Sequence, residues 1–282
     1  MAAPAFVDPT RGRGSGGRAT SGAEPLAAGR VHLPSIVRVM RRNFLSWRRF
    51  YRSSLVSALG EPLLLLLGLG YGLGRYVGSI EGLPYAQFIA SGIVASSVMN
   101  VATFETTFST FARMREQKTY DAIRATPVSL LEIMAGDLLW GACKCVITAS
   151  AITLVMLVAG LLASPLAALL PLAGFLLGFP FGALGMCVSA RARSWDSFTY
   201  YFTLGISVMF FFSGIFFPLA SLPAPVRAIA WCLPLAHAVA ITRALALGPL
   251  HGWLALHFAV LAAYWAVAFA LAVRWMERRL VV

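Results

Sequence analysis

Residues 145–190 read CVITASAITLVMLVAGLLASPLAALLPLAGFLLGFPFGALGMCVSA, 46 positions without one charged side chain. A bilayer core about 30 Å thick takes roughly 20 helical residues. The run therefore holds two spans, with Ser164-Pro165 as the natural turn between them. Residues 82–104, 197–226 and 244–273 are also free of charge, and residues 55–73 are interrupted only by Glu61-Pro62. Composition agrees, with 59% hydrophobic and 12% charged residues, against about 25% charged in a soluble domain. Such a chain cannot hide its apolar surface in water, so lipid is its solvent. The expected fold is all-α: a polytopic membrane protein with six transmembrane helices between about residues 55 and 273.

With six spans the termini share one side. That side would hold ten arginines before Ser53, then Arg113, Arg115, Lys118, Arg124, Lys144, Arg191, Arg193, Arg274, Arg278 and Arg279. This is 20 of the 23 basic residues, with Arg75, Arg227 and Arg243 left outside. The positive-inside rule makes both termini cytoplasmic. A net charge of +12 raises nucleic acid as a partner, but the cations lie beside spans and form no soluble domain. Membrane lipid headgroups fit that layout, and nucleic acid does not.

Residues 1–30, rich in Gly, Ala, Arg, Ser and Pro, have the composition of a disordered tail. The remaining 31–282 form one transmembrane domain. An amphipathic helix is expected over about 35–52, with Ile36, Met40, Phe44, Trp47 and Tyr51 on one face and Arg38, Arg41, Arg42, Arg48, Arg49 and Arg52 flanking it. Rings in the acyl boundary with guanidinium groups on the phosphates make an interfacial helix. Span one, 55–74, ends in glycines at 68, 70, 72 and 74, and span four carries Gly174, Gly178 and Gly182. Both are packing stripes, within the chain or across a dimer. Spans two, three, four, five and six are expected over about 85–109, 141–163, 166–188, 198–217 and 253–273. The apolar segment between five and six is broken by Pro218, Pro223, Pro225 and Pro234. Re-entrant half-helices fit it, because non-helical backbone at membrane depth must be buried in protein or line a cavity.

Catalytic chemistry is missing. No Ser/His/carboxylate spacing resembles a triad, no H-E-x-x-H occurs, and Cys143, Cys145, Cys187 and Cys232 form neither a metal set nor a disulfide framework. Gly136 to Lys144 is a near miss for a phosphate loop, with the lysine displaced and no preceding strand. No cofactor is therefore expected on this chain, and ATP-driven work would need a partner. Glu61, Glu105, Asp137 and Lys144 lie near span ends, where snorkelling or ion pairing accounts for them. Phe104, Phe108, Tyr200, Tyr201, Phe212 and Phe216 are candidates to line a translocation pathway, with an interfacial aromatic belt as the alternative.

Between spans two and three lies RMREQKTYDAIRATPVSLLE, residues 113–132, either an ordinary loop or a surface for another protein. Its core, Glu116-Gln-Lys-Thr-Tyr120-Asp121-Ala-Ile-Arg124-Ala-Thr126-Pro127-Val-Ser129, resembles the cytoplasmic loop of ABC-2 type exporter permeases. GIFFPLASLP (214–223) and PLAHAVAITRAL (234–245) resemble that family's stretch between spans five and six. The likeness covers about residues 35–279 and is greatest to the nodulation protein J subfamily, exporters of lipo-chitooligosaccharides that use a separate ATPase. It implies a transport subunit rather than an enzyme, a bacterial inner (plasma) membrane setting, a permease homodimer, and an ABC ATP-binding subunit that holds ATP and Mg. It also implies ATPase coupling through Arg113, Glu116, Tyr120, Asp121, Arg124, Thr126 and Pro127, beside an interfacial helix bearing Arg41, Arg42, Trp47 and Arg48. A drug exporter of the same architecture is the alternative. A secondary transporter would show mid-membrane ionisable groups and inverted repeats, and neither is apparent.

Overall fold

The computed structural model describes residues 32–117, 119–124, 128–248 and 252–281. The expected tail over 1–30 lies outside the described residues, as do Lys118, Thr126, Pro127 and His251. Apart from one short ladder, Ser79–Ile80 (β1) against Leu83–Pro84 (β2), the described secondary structure is helical.

The chain opens with Leu33–Trp47 (α1), whose Pro34 sits in the first turn, where a missing N–H costs nothing. This helix is shorter than its apolar spacing predicts. Phe50, at φ −123° and ψ 14°, leaves helical geometry and starts Tyr51–Val77 (α2), so Tyr51 and Arg52 belong to the first span. Within the protein, helix α1 covers Ser35, Ile36, Val39 and Asn43, while Phe44 of its ring face is exposed.

After the ladder come Tyr85–Arg115 (α3), the loop helix Thr119–Arg124 (α4), Leu130–Val158 (α5) and Pro165–Arg191 (α6). Helix α5 begins well before the expected span, at a capping box. The Ser129 hydroxyl accepts from the Glu132 N–H, and the Glu132 carboxylate accepts from the Ser129 N–H. Helix α3 is the centre of the bundle: 78% of its membrane-length stretch is buried, against 17% for α2. Around it pack the π-helical part of α2, then α5, α6 and Pro234–Leu247, introduced below as α9.

The glycine column of α6 faces α5 inside one chain. A Cβ on Gly178 would stand 2.9 Å from Ala142 Cα, and one on Gly174 would stand 2.7 Å from Ala149 Cβ. Only a bare backbone permits that approach. The α2 glycines divide: Gly70 and Gly74 lie against α3, whereas Gly68 has nothing within 4 Å.

The fifth helix, residues 196–212 (α7), differs from the expected 198–217. Ser213 (φ −93°, ψ 15°) and Gly214 (φ 79°) take the chain out of helix, with Pro218 close behind. Its 17 residues reach only about 26 Å at 1.5 Å per residue. The freed backbone is held by Arg243, which donates to Gly214 O at 2.9 Å and Phe88 O at 3.3 Å, with its guanidinium 3.8 Å from the Phe88 ring centre. Ala224–Trp231 (α8) and Pro234–Leu247 (α9) then meet at 82°, the broken pair that the prolines predict. Leu254–Val281 (α10) closes the chain. Among the described residues five helices are long and apolar enough to cross a bilayer, or six if α8 and α9 count as one span.

Candidate coupling and translocation site

Two features converge where α1, α3 and α5 meet. One is a buried ion network. Asp137, fully enclosed, takes Asn43 Nδ2 on Oδ1 at 2.6 Å and Tyr120 Oη on Oδ2 at 2.9 Å. Arg113 Nη2 lies 3.4 Å from Asp137 Oδ2, and Arg42 Nη2 lies 3.7 Å from Oδ1. The other nitrogen of Arg113, Nη1, donates to Glu105 Oε1 at 3.0 Å. Lys144 Nζ donates to Glu105 Oε2, also at 3.0 Å. Each carboxylate thus faces at least two cations. A buried ion without a partner would be costly, and this arrangement leaves neither carboxylate alone. Burial, followed by the Asp137 charge, holds the Tyr120 hydroxyl well above the ordinary tyrosine range, so it stays a donor. Burial likewise pulls Arg42 below its usual value, against the opposing attraction of Asp137.

The second feature is a cavity of about 740 Å³ between α2, α3, α5 and α7. Its polar lining includes Ser53, Ser57 and Glu61 of α2, Ser96, Ser97 and Asn100 of α3, Lys144 and Thr148 of α5, and Thr203 and Ser207 of α7. Apolar residues of the same helices, among them Leu65, Val101, Phe104, Phe202, Ile206 and Phe210, are interleaved with them. Three helices leave α geometry nearby, with π stretches at Leu66–Leu73, Glu105–Ser109 and Tyr201–Ile206. Such stretches often mark functional segments.

The residues singled out in the sequence scatter across these features. Arg113 and Tyr120 of the coupling set point inward, whereas Glu116 is exposed. Asp121 and Arg124 lie on α4, and Thr126 and Pro127 lie outside the described residues. On α1, Arg41 and Arg48 are exposed, Arg42 turns toward Asp137, and Trp47 packs edge-on to Trp140 at 5.8 Å. Glu105 does not snorkel to a boundary, because it is enclosed between two cations.

Of the candidate pathway rings, Phe104 lines the cavity. Phe108 lies in a ring cluster with Trp195, Phe198 and Phe202, and Tyr201 packs edge-on to Phe202. Phe216 packs on Phe210, while Tyr200 and Phe212 are exposed. The polar lining was missed, although Ser53, Ser57 and Glu61 recur at i, i+4 and i+8 on one helix face. Toward the opposite end of the fold His237 and His257 share a hydrogen bond at 2.7 Å, and no metal-holding group of three occurs among the described residues.

Residues 34–247 match the family described as ABC-2 type transporter. The chain belongs to the ABC-2 type transporter family. It is 39% identical over 246 residues to Nodulation protein J of Sinorhizobium fredii (strain NBRC 101917 / NGR234), covering 86% of this chain and 93% of that one. It is likewise 39% identical over 251 residues to Nodulation protein J of Rhizobium meliloti (strain 1021), with the same two shares. The Bradyrhizobium diazoefficiens protein of that name is 38% identical over 244 residues, 86% of this chain and 92% of its own. The chain is therefore a transport subunit, a multi-pass bacterial membrane permease.

Proposed function

We propose that the permease is the membrane half of an ATP-driven exporter whose cargo is an amphiphile with an oligosaccharide head and an acyl tail. The observation that carries this is the mixed lining of the cavity. Its serine, threonine and asparagine side chains offer donors and acceptors to a polyol, and its leucine, isoleucine and phenylalanine side chains offer apolar surface to a chain. Similarity to Nodulation protein J over nearly the whole length of those relatives supports the same class of cargo.

The permease works as a homodimer with two ABC ATP-binding subunits, which hold the ATP and Mg. Both termini face the cytoplasm, the orientation that the distribution of basic residues supports. The loop around α4 docks on the ATPase, with Glu116 among the groups that set register and specificity. The exposed Arg41 and Arg48 of α1 sit on lipid phosphates beside it. Closure of the ATPase pair shifts α4, and α3 and α5 transmit the shift to the cavity walls.

The test is transport. Inside-out proteoliposomes holding the permease and its ATPase should accumulate a fatty-acylated N-acetylglucosamine tetramer only with ATP. Accumulation of a hydrophobic dye in its place, with the glycolipid ignored, would overturn the cargo class.

A further inference from the structure

We propose that the buried string Lys144–Glu105–Arg113–Asp137–Tyr120 reports occupancy of the cavity to α4, with Lys144 as its cargo-sensing end. This rests on the function proposed above and adds to it how a bound cargo is felt at the docking loop.

Lys144 and Glu61 are the only charged side chains on the cavity wall among the described residues, and Lys144 is its only cation. A lysine ammonium offers three donors and no acceptor. It therefore selects oxygen acceptors, such as the hydroxyls and amide carbonyls of an N-acylated sugar. At the other end Tyr120, fully buried, is a side chain of the loop helix itself. The four joints between them measure 3.0, 3.0, 3.4 and 2.9 Å.

Each interior member has a charged or hydroxyl neighbour on either side in the string, so weight taken from one side moves toward the other, although Asn43 and Arg42 also share Asp137. A sugar oxygen that draws the Lys144 ammonium from Glu105 leaves that carboxylate with Arg113 as its one cation, beside the Ser109 hydroxyl at 3.3 Å. Arg113 then tightens on Glu105 and loosens on Asp137, the longest joint of the string. Asp137 in turn has more of its charge available to Tyr120 Oη, and α4 is held more firmly. Because the groups are buried, salt and water screen these exchanges little.

Coupling also needs an element with two arrangements. The π stretch Glu105–Ser109 supplies one, since it carries the string's central carboxylate and sits in the helix that ends at Arg115. Reversion of its wide turns to α geometry would carry Glu105 relative to Arg113. A network that serves only as glue would hold α4 equally with and without cargo, and that is the measurable difference.

The experiment is hydrogen exchange on the full-length permease in nanodiscs, without ATPase, with and without a fatty-acylated N-acetylglucosamine tetramer. In the wild type the probe should slow exchange across residues 119–124 by about fivefold or more, the lower end of a typical coupling. Tyr120→Phe keeps the buried ring, and residue 120 does not line the cavity. It should bind the probe within about twofold of wild type yet show no cargo-dependent slowing, because only one hydrogen bond is lost. Lys144→Met should weaken binding by about tenfold, one good hydrogen bond, and abolish the slowing. Lys144→Arg keeps a cation beside Glu105 in case the neutral variant does not fold, and should show reduced slowing. Wild-type slowing in Tyr120→Phe would overturn the string, as would a wild type that binds the probe while α4 exchange stays unchanged. A wild type that does not bind the probe would refute the cargo class and this inference together.

Discussion

Replacing Asp137 by asparagine tests the ion network with almost no change in shape. Every group that reaches the carboxylate is a donor: Asn43 Nδ2 at 2.6 Å, Tyr120 Oη at 2.9 Å, Arg113 Nη2 at 3.4 Å and Arg42 Nη2 at 3.7 Å. An amide nitrogen in either orientation would face donors. Asn43 is poorly placed to turn and accept, because its own Oδ1 already holds Arg42 at 2.9 Å. Removing one partner of a buried ion pair costs about 3–5 kcal/mol. Arg113 keeps Glu105, so the lower end applies, about 3 kcal/mol. At about 2–4 °C per kcal/mol for a chain of this size, Asp137→Asn should lower the melting temperature by about 6–12 °C. The assay is thermal unfolding of the purified permease in nanodiscs, with trypsin cleavage over residues 115–124 as a second readout. Cleavage there should quicken, because α4 loses the acceptor that holds Tyr120. The exposed Glu116→Gln variant should leave both measurements unchanged. A melting temperature for Asp137→Asn within about 1 °C of wild type would mean that this carboxylate does not join the four elements, whatever the distances say.

Gly178→Ala forces a methyl to within 2.9 Å of Ala142 Cα and should destabilise by about 1–3 kcal/mol, whereas Gly68→Ala, with nothing within 4 Å, should melt like the wild type. Glu116→Arg should reduce co-purification of the ATPase several-fold without changing the melting temperature or insertion of the permease. Tyr120 should resist ionisation in a spectrophotometric titration taken above pH 10.0, the ordinary tyrosine value. Its folded-state pKa is raised, so its contribution to stability is complete below pH 10.0, the ordinary tyrosine value, and is lost only as pH climbs through the higher folded value.

The spans were legible because lipid imposes one rule, and the runs 145–190 and 244–273 obey it. The same rule misplaced helix ends. The expected spans over 85–109 and 141–163 stop short of the helices, since α3 continues to Arg115 and α5 begins at Leu130. The charges of Glu105, Arg113, Asp137 and Lys144 sit inside helices because they neutralise one another across elements far apart in sequence, which no local pattern reveals. Arg113 and Tyr120 look like surface residues in a charged loop for the same reason. The break after Phe212 is one of conformation and not of composition. Apolar residues continue through Ile215, Phe216 and Phe217, while the positive φ of Gly214 has already ended the helix. The polar lining on α2 was legible in principle, since Ser53, Ser57 and Glu61 keep strict four-residue spacing on a mostly apolar helix.

Helix α2 contributes Ser53, Ser57 and Glu61 to the cavity but little to the core, with only 17% of its membrane-length stretch covered. In the exporter proposed above, part of the cargo lining is thus carried by a helix outside the packed core, although Lys144 belongs to both the cavity and the ion network. The column of glycines between α5 and α6 and the ions around Asp137 leave little room for change, whereas positions 53, 57 and 61 of α2 belong to neither. On that function, a lineage could adjust the sugar head it accepts at those three positions while leaving the packing of α3, α5 and α6 as it is.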